Sequence, residues 1–138
     1  MTSPQDSLLN WQEMDAAPEP GTRLCSLDAL DASGAKGVDF ENGDKRFSLF
    51  LVATENSGPC AYVNQCPHAG TPLEIFPDRF LTRERDAIVC ASHGARFRIE
   101  DGLCISGPCA GKRLTKIPIE TIGSNAHIAR DQTNRGSK

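Results

Sequence analysis

Two short segments of this chain each set a cysteine and a histidine nearly side by side: Cys66-Pro67-His68 and, 24 positions on, Cys90-Ala91-Ser92-His93. In an extended segment residues i and i+2 project to the same side, so Cys66 and His68 can reach one site. The second pair has two intervening residues and needs a turn to converge. Gly94, directly after His93, permits that turn because it carries no Cβ. A thiolate and an imidazole from each segment make a two-sulfur, two-nitrogen donor set, which limits the metal to zinc or an iron-sulfur cluster. A zinc finger usually pairs like with like around one tetrahedral ion. Here each segment is mixed, which suits a two-iron cluster whose thiolates serve one iron and whose imidazoles serve the other.

The cysteine count agrees with metal chemistry. Six cysteines (Cys25, Cys60, Cys66, Cys90, Cys104 and Cys109) would make three disulfides in a secreted protein, whereas in a reducing compartment they point to metal or redox work. The N-terminus shows no basic leader with an apolar core, so a cytoplasmic setting and metal binding are expected. At 138 residues the chain has room for about one domain. No apolar run reaches the roughly 18 residues of a membrane helix. A net charge of −3 with no basic cluster argues against a nucleic-acid surface, which must neutralise phosphates. Neither membrane nor nucleic acid is an expected partner; small acidic proteins more often dock on basic partners.

Residues 1–22 are polar, carry three prolines and read as an arm on the domain, with Trp11 as its candidate anchor. From Arg23 onward, short segments rich in β-branched and aromatic residues alternate with turn residues: LCSLDAL, KGVDF, RFSLFLVAT, CAYVN, DAIVCAS, ARFRIE, LTKIPIETI and AHIA. Phe47, Leu49 and Leu51 fall on one strand face, and Asn42-Gly43 suits a tight hairpin. Phe97 and Ile99 alternate with Arg96, Arg98 and Glu100, as in a half-buried strand running to a turn at Asp101-Gly102. No amphipathic helix longer than two turns is evident; Leu73 to Leu81 has room for one short turn. The fold class expected is all-β, an antiparallel sandwich or barrel.

With the four donors, Pro67, Gly70, Pro72, Leu73, Gly94 and Phe97 in place, the chain resembles the Rieske iron-sulfur family, ferredoxin type, whose fingerprint is CxH, a spacer, then CxxH. The likeness runs from about Arg23 to Ala129. It implies a Rieske-type domain over 23–130, with a small cluster-binding subdomain at about 60–109 and a flexible tail at 131–138. It also implies one Rieske-type [2Fe-2S] cluster held by Cys66, His68, Cys90 and His93. One departure is the spacer, 21 residues between His68 and Cys90, a few more than usual, with Phe76 to Glu84 as the surplus. An enlarged surface loop there costs little closure entropy and can shape a docking surface.

The resemblance also bears on tuning. Respiratory Rieske proteins carry a disulfide between the two ligand loops; here Thr71 and Ala91 or Ser92 stand at those places. They also place a hydroxyl two residues past the second ligand histidine and a tyrosine two further on, where this chain has Ala95 and Phe97. Hydrogen bonds to cluster sulfur favour the more negative reduced state, so their loss implies a potential in the lower half of the range of roughly −150 to +300 mV.

All four ligand positions are filled by protein, leaving no open position for substrate, and no second catalytic motif is present. The expected role is electron transfer: a soluble ferredoxin taking single electrons from a reductase to a terminal oxygenase. A small subunit of a larger oxidoreductase, resembling the nitrite reductase small subunit, and a zinc-stabilised interaction module are the alternatives. Gly107 and Pro108 resemble the family's third loop, which shields the cluster edge, though a plain turn explains them equally. Cys104 and Cys109 are expected as buried thiols, with a bridge across their turn as the alternative. Cys25, Cys60, Tyr62 and His127 read as structural. Arg96, Arg98, Lys112 and Arg113 read as solvated strand faces, with a basic rim for an acidic partner as the alternative.

Overall fold

A computed structural model of the chain describes residue 11 and residues 14–54, 58–65, 72–73, 79–91, 94–107 and 110–130. Among these, strands dominate and every pairing is antiparallel. One sheet orders β1 (Arg23–Ser26), β10 (Asn125–Ile128) and β9 (Ile119–Ile122). A second orders β2 (Ala35–Asn42), β3 (Lys45–Val52), β4 (Cys60–Val63) and β8 (Lys116–Ile117). The third is small, β5 (Ile88–Val89), β6 (Arg96–Phe97) and β7 (Cys104–Ser106), and carries the second Cys-His segment at its first turn.

The middle sheet is the partition of the molecule. Successive residues of a strand face opposite ways, and β3 is apolar on both faces. Phe47, Leu49 and Leu51 join Leu24, Ala126 and Ile128 in a core shared with the first sheet, as the alternation in the sequence leads one to expect. Phe50 and Val52 face the other way, into a core with Phe80, Ile88, Cys90 and Phe97. Strand β4 divides likewise, Ala61 and Val63 to one side and Cys60 and Tyr62 to the other. The site-bearing sheet therefore shares its core with the back of the middle sheet.

Local signals account for most elements, with two corrections. Asn42 pairs with Lys45, so the β2–β3 hairpin closes through Gly43 and Asp44, one position later than the Asn42-Gly43 pair suggests; Gly43 takes φ +65°. The segment LCSLDAL is not one strand. Its second half is helix α1 (Leu27–Ser33), because Ser26 caps the N-terminus by accepting from the Ala29 N–H at 3.1 Å, while Gly34 closes it in a left-handed C-cap. With Leu30 buried and Asp28 in the first turn, these caps outweigh the strand propensity of a four-residue lead-in. Strand β7 falls in a stretch read only as loop and turn.

Trp11 does anchor the arm: it is buried, 6.1 Å between ring centroids from Phe47, inside the first core. Most of the arm, the tail 131–138 and residues 74–78 of the proposed short turn lie outside the described residues.

Candidate metal centre

Of the four expected ligands, Cys90 lies within the described residues; Cys66, His68 and His93 lie outside them, as do Pro67, Gly70, Thr71, Ser92, Pro108 and Cys109. The frame around them is well defined. Cys90 follows β5 directly, is fully buried and belongs to the core behind the middle sheet. Its N–H donates to the Ala95 carbonyl at 2.8 Å, and its carbonyl accepts the Gly94 N–H at 2.8 Å. These two bonds hold Gly94 and Ala95 close to Cys90 in the connection between β5 and β6. Gly94 sits at φ +73°, the left-handed region that a Cβ resists, which is why glycine suits this position.

Three chain segments meet at Cys90. From the first ligand segment, the Leu73 carbonyl accepts the Ala91 N–H at 2.8 Å. The Leu73 N–H in turn donates to Asn64 Oδ1 at 2.9 Å, and Asn64 Nδ2 donates to Ser48 Oγ at 3.1 Å in β3. From the other side, Gly107 presses on the turn so closely that a Cβ on it would come within 2.7 Å of the Ala95 Cα. Gly107 thus packs against the connection after Cys90 more closely than a side chain would allow, while Pro108 lies outside the described residues. Asn64 drew no attention in the sequence. An asparagine closing an otherwise apolar strand, two positions before a candidate ligand, is the signal that was there.

The surplus between the ligand segments is only partly a surface loop. Phe80 is fully buried and stacks on Phe50 of β3, centroids 4.3 Å apart with ring planes 7° from parallel. The Val89 N–H donates to the Phe80 carbonyl at 2.8 Å and Leu81 bridges to Ile88, so the segment folds back along β5. Phe80 belongs to the core and Leu81 packs against it, which a count of excess residues cannot reveal.

The polar surroundings are structural rather than catalytic. Tyr62 is buried, its hydroxyl donates to the Ile99 carbonyl at 2.6 Å, and burial drives its pKa well above the ordinary phenol range. His127 Nδ1 lies 3.0 Å from the Gly21 carbonyl, in β10, tying the arm's end to the first sheet. Arg98 hydrogen-bonds Asp101, which the guanidinium holds down to about 2, and Arg113 lies 3.9 Å from the same carboxylate. Two of the four residues considered for a basic rim thus share one acidic partner; Arg96 and Lys112 are exposed. Cys25 and Cys60 are small core residues, and the Cys104 thiol donates to the Ser106 carbonyl at 3.2 Å.

Comparison with known proteins adds the decisive observation. The family profile described as Rieske [2Fe-2S] domain matches residues 22–123. The chain belongs to the Rieske [2Fe-2S] domain family. Its cofactor is accordingly one Rieske-type [2Fe-2S] cluster, and the residues present fit it: Cys90 offers a thiolate from a dry, apolar setting at the mouth of a tight turn, the kind of shell that screens a cluster from water. Among solved structures, the ferredoxin of carbazole 1,9a-dioxygenase from Nocardioides aromaticivorans IC177 is similar, with TM-score 0.61, 21% identity, and coverage of 80% of this chain and 98% of that one. A putative nitrite reductase NADPH small subunit matches with TM-score 0.56 and 16% identity over 77% of this chain and 94% of that one. A carbazole-bound oxygenase and ferredoxin complex gives TM-score 0.64 and 14% identity, over 81% of this chain and 29% of the matched chain. At these identities the likeness is one of fold. Curated protein sequences give no match. No helix among the described residues is long and apolar enough to cross a membrane.

Proposed function

We propose that this protein is a Rieske-type ferredoxin that takes single electrons from a reductase and delivers them to a terminal oxygenase or similar oxidoreductase, in the cytoplasm. Cys66 and Cys90 hold one iron, and His68 and His93 hold the other. When bound, such a cluster accepts and returns one electron. The chain's own residues keep Cys90 out of water and fix the connection that follows it. The observation that carries this reading is the Rieske [2Fe-2S] family match over residues 22–123, and the similarity in fold to a ferredoxin chain supports it.

The match to a nitrite reductase small subunit supports a second reading, the same electron-transfer chemistry inside a permanent assembly. Two measurements test and separate these. With NADH, a flavin-dependent ferredoxin reductase and cytochrome c as final acceptor, the holoprotein should accelerate cytochrome reduction in proportion to its concentration; no acceleration refutes the ferredoxin reading. Isolation from native cells in fixed ratio with a large catalytic subunit establishes the second.

A further inference from the structure

Asn64 is buried at the end of β4, two residues before Cys66, and makes contacts on both sides of the first ligand loop. Its main-chain N–H donates to the Ser48 carbonyl at 2.9 Å and its Nδ2 to Ser48 Oγ at 3.1 Å. Its Oδ1 accepts the Leu73 N–H at 2.9 Å, a bond buried from solvent. The Leu73 carbonyl then accepts from Ala91, the residue after Cys90. A continuous path of hydrogen bonds thus leaves the middle strand β3, crosses the base of residues 65–72 through one side chain, and ends beside the second ligand segment.

The residue type follows from the geometry. A buried amide N–H must find an acceptor, and Leu73 finds its acceptor in a side chain rather than in a strand. A short amide offers that acceptor and a donor for Ser48 on neighbouring atoms. Leucine fills the same space with neither. Aspartate keeps the acceptor for Leu73 but loses the donor to Ser48, whose own hydroxyl is engaged by Asp39.

We propose that Asn64 is a positioning residue for the cluster: it clamps the loop bearing Cys66 and His68 to the sheet and sets its distance from the segment bearing Cys90 and His93. The proposal rests on the ligand assignment and on no particular redox partner. Leaving the Leu73 amide without its acceptor removes one buried hydrogen bond, which corresponds to about tenfold in an equilibrium or rate.

The test uses the holoprotein and its Asn64→Leu and Asn64→Asp variants. Three quantities are read: the rate at which an iron chelator bleaches the visible absorbance, the line shape of the reduced protein's spin resonance, and the urea midpoint of unfolding. Asn64→Leu should bleach about tenfold faster or more, with a broadened signal, while Asn64→Asp, which keeps the acceptor for Leu73 but loses the bond to Ser48, should bleach about threefold or more slower than Asn64→Leu. Parental bleaching and line shape in Asn64→Leu overturn the proposal, and so does a lowered urea midpoint with both unchanged. Equal behaviour of the two variants overturns it as well, since the acceptor for Leu73 would then be irrelevant. If Asn64→Leu does not fold, Ser48→Ala weakens the same clamp at its sheet end; it should bleach about threefold faster, and an unchanged rate counts against the clamp.

Discussion

Replacing Gly107 by alanine probes the third loop's seat on the ligand turn, and the structure separates its two costs. Gly107 has φ +103°, so any Cβ pays for a left-handed backbone, about 1–2 kcal/mol. The new Cβ would also lie 2.7 Å from the Ala95 Cα, whereas ordinary contact begins at 3.4 Å. Backbone cannot yield by changing rotamer, so the loop must retreat by about 0.7 Å, an overpacking cost of roughly 1–3 kcal/mol. Gly111 supplies the control. It has a similar φ, +92°, and nothing within 4 Å of its would-be Cβ. Gly111→Ala should therefore lose about 1–2 kcal/mol and Gly107→Ala about 2–5 kcal/mol in urea unfolding followed by circular dichroism. Gly107→Ala should also bleach faster in chelator, because a displaced third loop admits water to Cys90 and its neighbours. Equal losses in the two variants, within about 0.5 kcal/mol, would refute the claim that the third loop is seated on Ala95.

Two further outcomes are expected. Ala95→Ser adds a hydroxyl two positions past His93 and should raise the reduction potential by roughly 60 mV, one net hydrogen bond to the reduced state in a one-electron couple; protein-film voltammetry checks it, and no rise would mean that the hydroxyl does not reach a sulfur. Trp11→Ala should cost about 3–5 kcal/mol of global stability, measured by urea unfolding, because the indole is only 4% exposed and packs on Phe47; a cost below about 1 kcal/mol would return the arm to the surface.

The parts of this protein that were legible in the sequence are those fixed by short-range chemistry. The alternation of Phe47, Leu49 and Leu51 placed them on one core, and the spacing of Phe97 and Ile99 gave their burial even though β6 spans only Arg96 and Phe97. Gly94 after the second pair foretold a turn that its φ of +73° confirms. What stayed hidden depends on contacts between distant segments. Leu24–Leu30 reads as one strand in the sequence, whereas Ser26 and Gly34 cap a helix that begins at Leu27. Phe80 looked like loop surplus because its partner, Phe50, lies 30 positions earlier. Asn64 shows in the sequence only as a polar residue closing an apolar strand; its role follows from Ser48, Leu73 and Ala91, which only the fold brings together.

The central claim is a two-iron cluster held by two thiolates and two imidazoles. Spin resonance of the dithionite-reduced holoprotein, with iron and sulfide quantified on the same sample, tests it most directly. Two irons per chain and a rhombic signal of low average g, lost in His68→Ala and His93→Ala but kept in His127→Ala, are the expected result. A colourless protein holding one zinc ion, or a cluster whose signal survives removal of both histidines, would contradict it.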